Sequence, residues 1–538
     1  MAEVKRVFKV NGKPFFPLGG QSHNSSGYGS ADSETAFKAI KLLHGNSLEI
    51  PVYWDKVEPE EGKFDFSTVE ALITGARKYG VKLILLWFAS WKNGNMDYTP
   101  AWVKQNPQRF KRVKSPAGRD LWGLSAYCPA NLEADKKALM ALCKYLKAKD
   151  GVEQTVISIQ VENEPWNVNS DRDFSQEAEA ARNSPVPANI LTAMKAAGKG
   201  VAYDIWQKAG GKKSGDWYDI FGSSAAEFES ARSIAAYIDK VIEGAKAVYD
   251  IPMFINAWIV VELCQEPIPG APYPAGGPVS KVLDIYKWCT PHTDMITPDI
   301  HLHDSRRYET ACADYARDDN PLFDGEAGPN TWSMFRGIAD YNCQGYFFFG
   351  VEQIVAEDGT TRPESKAMVE SVQCIASAIP LLLKYQGTGK IHAVSQEEYL
   401  SFQWLDMDGY LGQVQFGGGR GFGGYKDWRH NPVGIMTGAQ NIDESKRGRG
   451  LVIQAGKNEF YVIGVNYRIF FRPKLSADKT QPLLTANDVA NGRQVSVDEG
   501  HFDQKGAFVV DRQRNGDEIS MGVWVESDLG VVRVILCD

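Results

Sequence analysis

The stretch TVISIQVENEPW, residues 155–166, opens as an apolar run and ends in two carboxylates, an amide and a proline. Val156, Ile157, Ile159 and Val161 give it the composition of a parallel strand covered on both faces. Charge at the end of a buried strand is costly unless it is paired or used. The run therefore predicts a barrel or sheet wall, and its polar end predicts a site.

Working outward, strand-like runs alternate with amphipathic helical patterns from about residue 8 to about residue 384. FFPLGGQ (15–21), NSLEIPVYW (46–54) and VKLILLWF (81–88) read as three strands before the opening one. PMFINAW (252–258), DMITPDIHL (294–302), NPLFDGE (320–326) and GYFFFG (345–350) read as four after it. SETAFKAIKLLHG (33–45) reads as a helix capped by Ser33 and stopped at Gly45. Eight such βα units close a (β/α)₈ TIM barrel, an α/β fold, assigned to residues 1–388. From 389 to 538 short alternating runs separated by Gly, Asn and Asp predict a C-terminal all-β sandwich. The polar, acidic segment 165–196 reads as neither strand nor buried helix, and either covers a cleft or is a solvated insertion. FGGGRGFGG (416–424) lacks the GKS or GKT and the βαβ setting of a phosphate loop, and reads as a loop between sandwich strands.

Composition narrows the function. The 538 residues carry a formal charge of −8, which argues against a nucleic-acid partner. No run of 18 apolar residues predicts a membrane span. The first residues lack the apolar core of a signal peptide, so the chain reads as cytoplasmic, or as periplasmic or secreted if an export signal has been removed. The eight Cys show no metal-type spacing and read mostly as reduced core thiols. No cofactor and no metal is expected; a carbohydrate is the expected partner, with homo-oligomerisation open.

Barrel strands point their C-terminal ends at the active site. Those ends carry Gln21 and Asn24, then Trp87, Trp91 and Lys92, then Asn163 and Glu164. Asn256 and Trp258, His301, Glu326 and Glu352 follow on the later strands. Glu164 and Glu326 each stand where an apolar strand turns polar, on opposite sides of the mouth. A retaining glycosidase needs two carboxyls about 5–5.5 Å apart, one an acid/base and one a nucleophile. Plain alternation puts Glu162 on the same side as Glu164 but one step deeper inside the barrel, as scaffold that must be paired or protonated. The Trp residues either stack on a sugar or pack the core. A rival reading takes His301, His303 and Asp299 as ligands of a metal-dependent hydrolase. Another keeps the barrel as a non-catalytic sugar binder.

IQVENEP (159–165), EIPVYWDKVEPEEGKFDF (49–66) and FDGEAG (323–328) resemble the clan of retaining (β/α)₈ glycosidases. With LGGQSHNSS (18–26), LLWFASWKNG (85–94) and YTPAWVK (98–104), the chain resembles the family 35 β-galactosidases, in the bacterial subgroup with one C-terminal β-domain. The resemblance implies Glu164 as general acid/base, Glu326 as nucleophile and Asn163 as donor to the sugar 2-hydroxyl. It implies removal of terminal β-D-galactose, with a β-glucoside, an α-L-arabinopyranoside or transfer to an acceptor sugar as alternatives. Where this clan often has a Tyr bonded to the nucleophile, PDIHLH places His301.

Overall fold

The computed structural model describes residues 6–167, 170–260, 269–270, 273–397, 402–416, 444–474, 494–520 and 522–537. Eight parallel strands form the first sheet: β1 (Leu18–Gln21), β2 (Ser47–Tyr53), β3 (Lys82–Lys92), β4 (Val156–Asn163), β5 (Met253–Trp258), β6 (Met295–Asp299), β7 (Asp324–Ala327) and β8 (Tyr346–Phe349). They are ordered β6-β5-β4-β3-β2-β1-β8-β7, and β6 lies beside β7, so the sheet is a nearly closed barrel. The expected (β/α)₈ fold is what the chain adopts.

Helices follow the strands: α1 (Ser30–Leu42), α2 (Ser67–Tyr79), α3 (Pro129–Asp150), α4 (Ala225–Val248), α5 (Leu283–Cys289), α6 (Ser305–Tyr315), α7 (Ser333–Asp340) and α8 (Lys366–Tyr385). In α2 the buried residues Val69, Leu72, Ile73 and Ala76 make one apolar stripe, and Gly80 ends the helix in the left-handed region at φ 65°. Ser33 is not a cap: α1 begins three residues earlier, and the Ser33 hydroxyl bonds back to the Ser30 carbonyl. At the N-terminal ends of the strands, Ile84, Ile157, Phe254, Met295, Phe323 and Phe347 form one interior cluster, which Phe8 joins. β1 can be LGGQ because it runs very close to β2: a Cβ on Gly19 would lie 1.8 Å from the Ser47 carbonyl oxygen.

The segment after β4 differs from its sequence reading. It folds into helices Gln176–Arg182, capped by the Ser175 hydroxyl, and Ala188–Ala197. Ile190, Leu191 and Met194 are the buried residues of the second helix, which itself has no acidic residue; the acids of the segment lie earlier, at Asp171, Asp173, Glu177 and Glu179.

The C-terminal region is all-β and antiparallel. A six-stranded sheet has the order β9-β12-β13-β18-β15-β16, and a four-stranded one the order β10-β11-β14-β17. The first comprises β9 (Ile391–Ser395), β12 (Arg449–Gly456), β13 (Glu459–Val465), β15 (Gln494–Phe502), β16 (Phe508–Arg514) and β18 (Val531–Leu536). The second comprises β10 (Phe402–Met407), β11 (Tyr410–Phe416), β14 (Tyr467–Pro473) and β17 (Val523–Val525). The glycine-rich stretch 416–424 lies, apart from Phe416, outside the described residues, as does Cys264. The other seven Cys carry free thiols.

Val452, Phe460 and Val462 of the six-stranded sheet face Val414, Ile469 and Phe471 of the four-stranded one. Leu451, Ile453 and Ile463, on the opposite face, join the core of the barrel helices, including Val372, Ile375 and Leu382 of α8. With its leading turn (Pro363–Tyr385), α8 is the single helix among the described residues long and apolar enough to cross a membrane. Here it is packed between barrel and sheet. Arg449 fastens this junction: its buried guanidinium donates to the Ser371 hydroxyl (2.6 Å), the Ala367 carbonyl (3.1 Å) and Glu370 (3.0 Å). Arg449→Ala strands these acceptors and should lower unfolding stability by about 3 kcal/mol. Chemical denaturation followed by fluorescence reads this, and an unchanged midpoint contradicts the role.

Candidate active site

β3 and β4 together build one wall of the site. Trp87 pairs with Val161 and Lys92 with Asn163, so β3 carries three more residues than β4 between those pairs, in an irregularity of the ladder. The extra residues turn Asn93 and Gly94 over the end of β4, where their amides donate to the carbonyls of Asn163 (3.0 Å) and Glu164 (3.2 Å). The Asn93 side-chain amide donates to Glu164 Oε2 at 2.6 Å. Glu162 and Glu164 both have positive φ, 65° and 45°, a conformation non-glycine residues hold only when their surroundings fix it.

Those two backbone reversals correct the placement of Glu162. Alternation fails across them, and the side chain lies among groups from β3 and α3 rather than inside the barrel. Its carboxyl accepts from the Trp91 backbone amide at 2.7 Å and bonds to Asp135 of α3. Burial, then the neighbouring Asp135, raise its pKa well above the usual carboxylate value, which favours Glu162 as the protonated member of that pair. Asp135 also accepts from the Trp87 indole (3.0 Å) and the Ser90 hydroxyl (2.6 Å).

This removes Trp87 and Trp91 from the sugar-facing set. Trp87 is fully buried and committed to Asp135, and Trp91 packs edge-on against Tyr237 at 4.8 Å in the core. Trp258 is 46% exposed and stands edge-to-face with Trp166 at 6.3 Å, an open aromatic surface beside Glu164 in sequence.

Glu164, Asp299 and Glu326 present carboxyl oxygens within 4.8 Å of one another. Asn256 braces them: its Oδ1 accepts the Glu164 backbone N–H at 2.8 Å and its Nδ2 donates to Asp299 Oδ2 at 2.7 Å. Both ends of that amide meet protein, so Asn256 braces the cluster. Asn163, by contrast, is fully buried and neither amide atom has a partner. A buried amide without partners is expensive, and its natural complement is a ligand's hydroxyl groups.

Two carboxylates this close repel by roughly 3–4 kcal/mol at an effective dielectric of 20, or two to three pKa units. Burial and then Glu326 raise Glu164 to about 7. Asp299 is pushed well above the carboxylate range by burial, then by Glu326 and Glu164. Below Glu326, Glu49 is fully buried and likewise raised by burial, with Gln21 Nε2 bridging its Oε2 (3.0 Å) to the Gly325 carbonyl (3.2 Å). His301 Nε2 meets Glu326 Oε1 at 3.3 Å, and this bond raises the imidazole pKa. Three oxygens so spaced suit a hard cation only when ionised. Burial and mutual repulsion favour the protonated acids at Glu164 and Asp299, so the cluster has the character of a shared-proton site. His303 does not join it.

Other expected residues lie at the rim. Lys92 sits over the Phe88 ring and bonds to the Asn93 side chain. Asn24 is partly exposed, its carbonyl accepting from the Tyr53 hydroxyl. Glu352 accepts from the His23 amide and, at 2.5 Å, the Ser26 hydroxyl, so it pins the loop after β1 instead of facing a sugar. Asn93 and Glu49 were missed, and Asp299 entered the sequence reading only as a ligand in the metal alternative. The signal for Asn93 was the KNG that closes an overlong strand.

Residues 29–189 match the glycoside hydrolase family 42 model described as β-galactosidase, and residues 370–526 match a domain of unknown function, DUF5597. The resemblance to barrel β-galactosidases thus meets a family 42-type domain, and the family 35 assignment is not supported. A β-galactosidase from Xanthomonas manihotis is 31% identical over 166 residues, 29% of this chain. That stretch is a quarter of the relative's own length. Among solved structures, the β-amylase catalytic domain of Paenibacillus polymyxa aligns at TM-score 0.48 and 13% identity, over 66% of this chain and 97% of that one. The β-galactosidase of Bacillus circulans sp. alkalophilus aligns at 0.45 and 13%, over 68% and 56%.

The protonated state of Glu162 is open to direct test. Glu162→Gln keeps a donor towards Asp135 and should stay within about 1 kcal/mol of wild-type stability. Glu162→Ala leaves a cavity and an unpaired amide and should cost about 2–4 kcal/mol. Equal losses in urea denaturation would show that the native group is the anion.

Proposed function

We propose that this protein is a retaining, exo-acting β-glycosidase that removes terminal β-D-galactose by double displacement, with Glu164 as acid/base and Glu326 as nucleophile. The observation that carries the reading is the pair itself: two carboxyls from β4 and β7 within 4.8 Å, one of them raised to about 7. That spacing fits the retaining geometry and leaves no room for the water an inverting enzyme places between its acids. The β-galactosidase match over 29–189 includes Asn163 and Glu164; the role of Glu326 rests on geometry.

In the first half-reaction Glu326 attacks the anomeric carbon while Glu164 protonates the departing oxygen. Esterification of Glu326 abolishes the charge that helps hold Glu164 up, so the Glu164 pKa falls and the group becomes a base for the incoming water. Asn163 donates to the 2-hydroxyl, a bond that strengthens as charge grows on the ring. His301 holds Glu326 for attack, and Trp258 with Trp166 offers the face on which the sugar stacks.

The test is a panel of p-nitrophenyl glycosides. The β-galactoside should be the best substrate, and a better turnover of another sugar revises the specificity. Glu164→Ala and Glu326→Ala should each lose at least about 10²-fold in kcat. Azide should then give β-galactosyl azide from Glu164→Ala and the α-anomer from Glu326→Ala. Full activity in either variant, or one shared anomer, overturns the assignment.

The pH dependence has a fixed sign. Glu164 acts as an acid in the free enzyme, so kcat/KM is present below its pKa and lost above about pH 7. An alkaline limb that survives in Glu164→Gln belongs to another group. Trp258→Ala should raise KM roughly fivefold, the worth of about 1 kcal/mol of stacking, with stability unchanged.

A further inference from the structure

Asp299 is a buried acid whose position the reaction above does not use. It ends β6, is 4% exposed, and has one oxygen fixed by the Asn256 amide while Oδ1 has no amide or hydroxyl partner. Its carboxyl lies against that of Glu164, within 4.8 Å of both Glu164 and Glu326. Two facing carboxyls can share a hydrogen bond only if one carries the proton.

We propose that Asp299 is a positioning acid of this site: braced by Asn256, it donates a hydrogen bond to the Glu164 carboxylate and stabilises the charge that Glu164 takes on as it protonates the leaving group in the first half-reaction. The inference rests on the assignment of Glu164 and Glu326. The groups around Asp299 agree with a neutral acid. Glu164 of β4 and Glu326 and Asp324 of β7 are all carboxyls, and each raises its pKa. Tyr315 of α6 also feels it, but spends its hydroxyl on the Pro278 carbonyl. The cations nearby, His301 and Lys92, act on Glu164, and His301 is bonded to Glu326.

The consequence is specific to half of the reaction. When Glu164 gives up its proton to the leaving group, the Asp299 hydroxyl already points at the new anion, so the charge is met without rearrangement. No proton leaves Asp299. A hydrogen bond to a charged group is worth about 1.5–3 kcal/mol, which is roughly 10- to 100-fold in a rate that depends on it. Deglycosylation, in which Glu164 starts as the anion and loses its charge to the incoming proton, gains nothing from it.

Two variants of the intact chain test this with a phenyl β-galactoside, whose poor leaving group needs the proton and makes glycosylation limiting, and with a dinitrophenyl β-galactoside, whose leaving group needs none. Asp299→Asn, a neutral donor of the same shape, should keep kcat within about threefold and leave the alkaline limb of kcat/KM in place. Asp299→Ala should lose roughly 10- to 100-fold in kcat/KM on the phenyl galactoside and much less on the dinitrophenyl one. A downward move of the alkaline limb by a pH unit or more in Asp299→Asn would mean that a charge had been removed, and overturns the proposal. Equal losses on the two substrates in Asp299→Ala also overturn it. Should Asp299→Ala not fold, the infrared difference between wild type and Asp299→Asn at pH 6 decides. A protonated-carboxyl band present only in the wild type supports the proposal, and its absence overturns it. The anomer of azide product from Glu164→Ala reports separately on the underlying assignment.

Discussion

Repulsion between desolvated carboxyls organises this protein. Glu164, Asp299 and Glu326 converge on one volume, and Glu49, Asp324 and Glu162 lie close behind or beside it. Water would make such crowding harmless, but the barrel excludes it, so protons must do what solvent otherwise does. Every local oddity serves that distribution of protons. Asn256 fixes the spacing, the two positive-φ glutamates aim one carboxyl at the mouth and one away from it, and His301 supplies a polar partner to Glu326. Carboxyls whose pKa burial raises surround Glu326.

The fold was legible because parallel strands covered on both faces announce themselves as uninterrupted apolar runs. Their polar ends then marked the mouth, and with it Glu164, Asn163 and Glu326. What was not legible depended on backbone geometry that composition does not carry. The direction of Glu162 inverted because two residues took positive φ, a choice enforced by the strand beside them and not by their own side chains. Trp87 and Trp258 both come from apolar strands, yet one is fully buried against Asp135 and the other open. Which way an indole turns was decided by the helix that packs outside, and that helix is distant in sequence. The helices after β4 escaped notice for a simpler reason: the acids at 171–179 set the character of the whole segment, although its second helix, Ala188–Ala197, has none.

The sandwich domain shows the complementary case. GLVIQA and EFYVIGV are more continuously apolar than a half-exposed antiparallel strand needs to be. The reason is that their sheet is a middle layer, with a second sheet on one side and barrel helices on the other. Continuity of apolar residues therefore reported the number of covered faces, here as in the barrel, although the two sheets differ in strand direction.

The apolar helix α8 gives that layering a biological edge. By length and composition it resembles a segment that a membrane would accept, and what keeps it in water is the sheet that the chain appends to it. During synthesis the barrel emerges first and carries this helix uncovered until the strands beyond residue 390 arrive. The β-domain is thus the built-in partner that hides a sticky surface for the life of the molecule, and a chain that loses it would present to the cell a hydrophobic helix of the kind that chaperones and proteases are built to find.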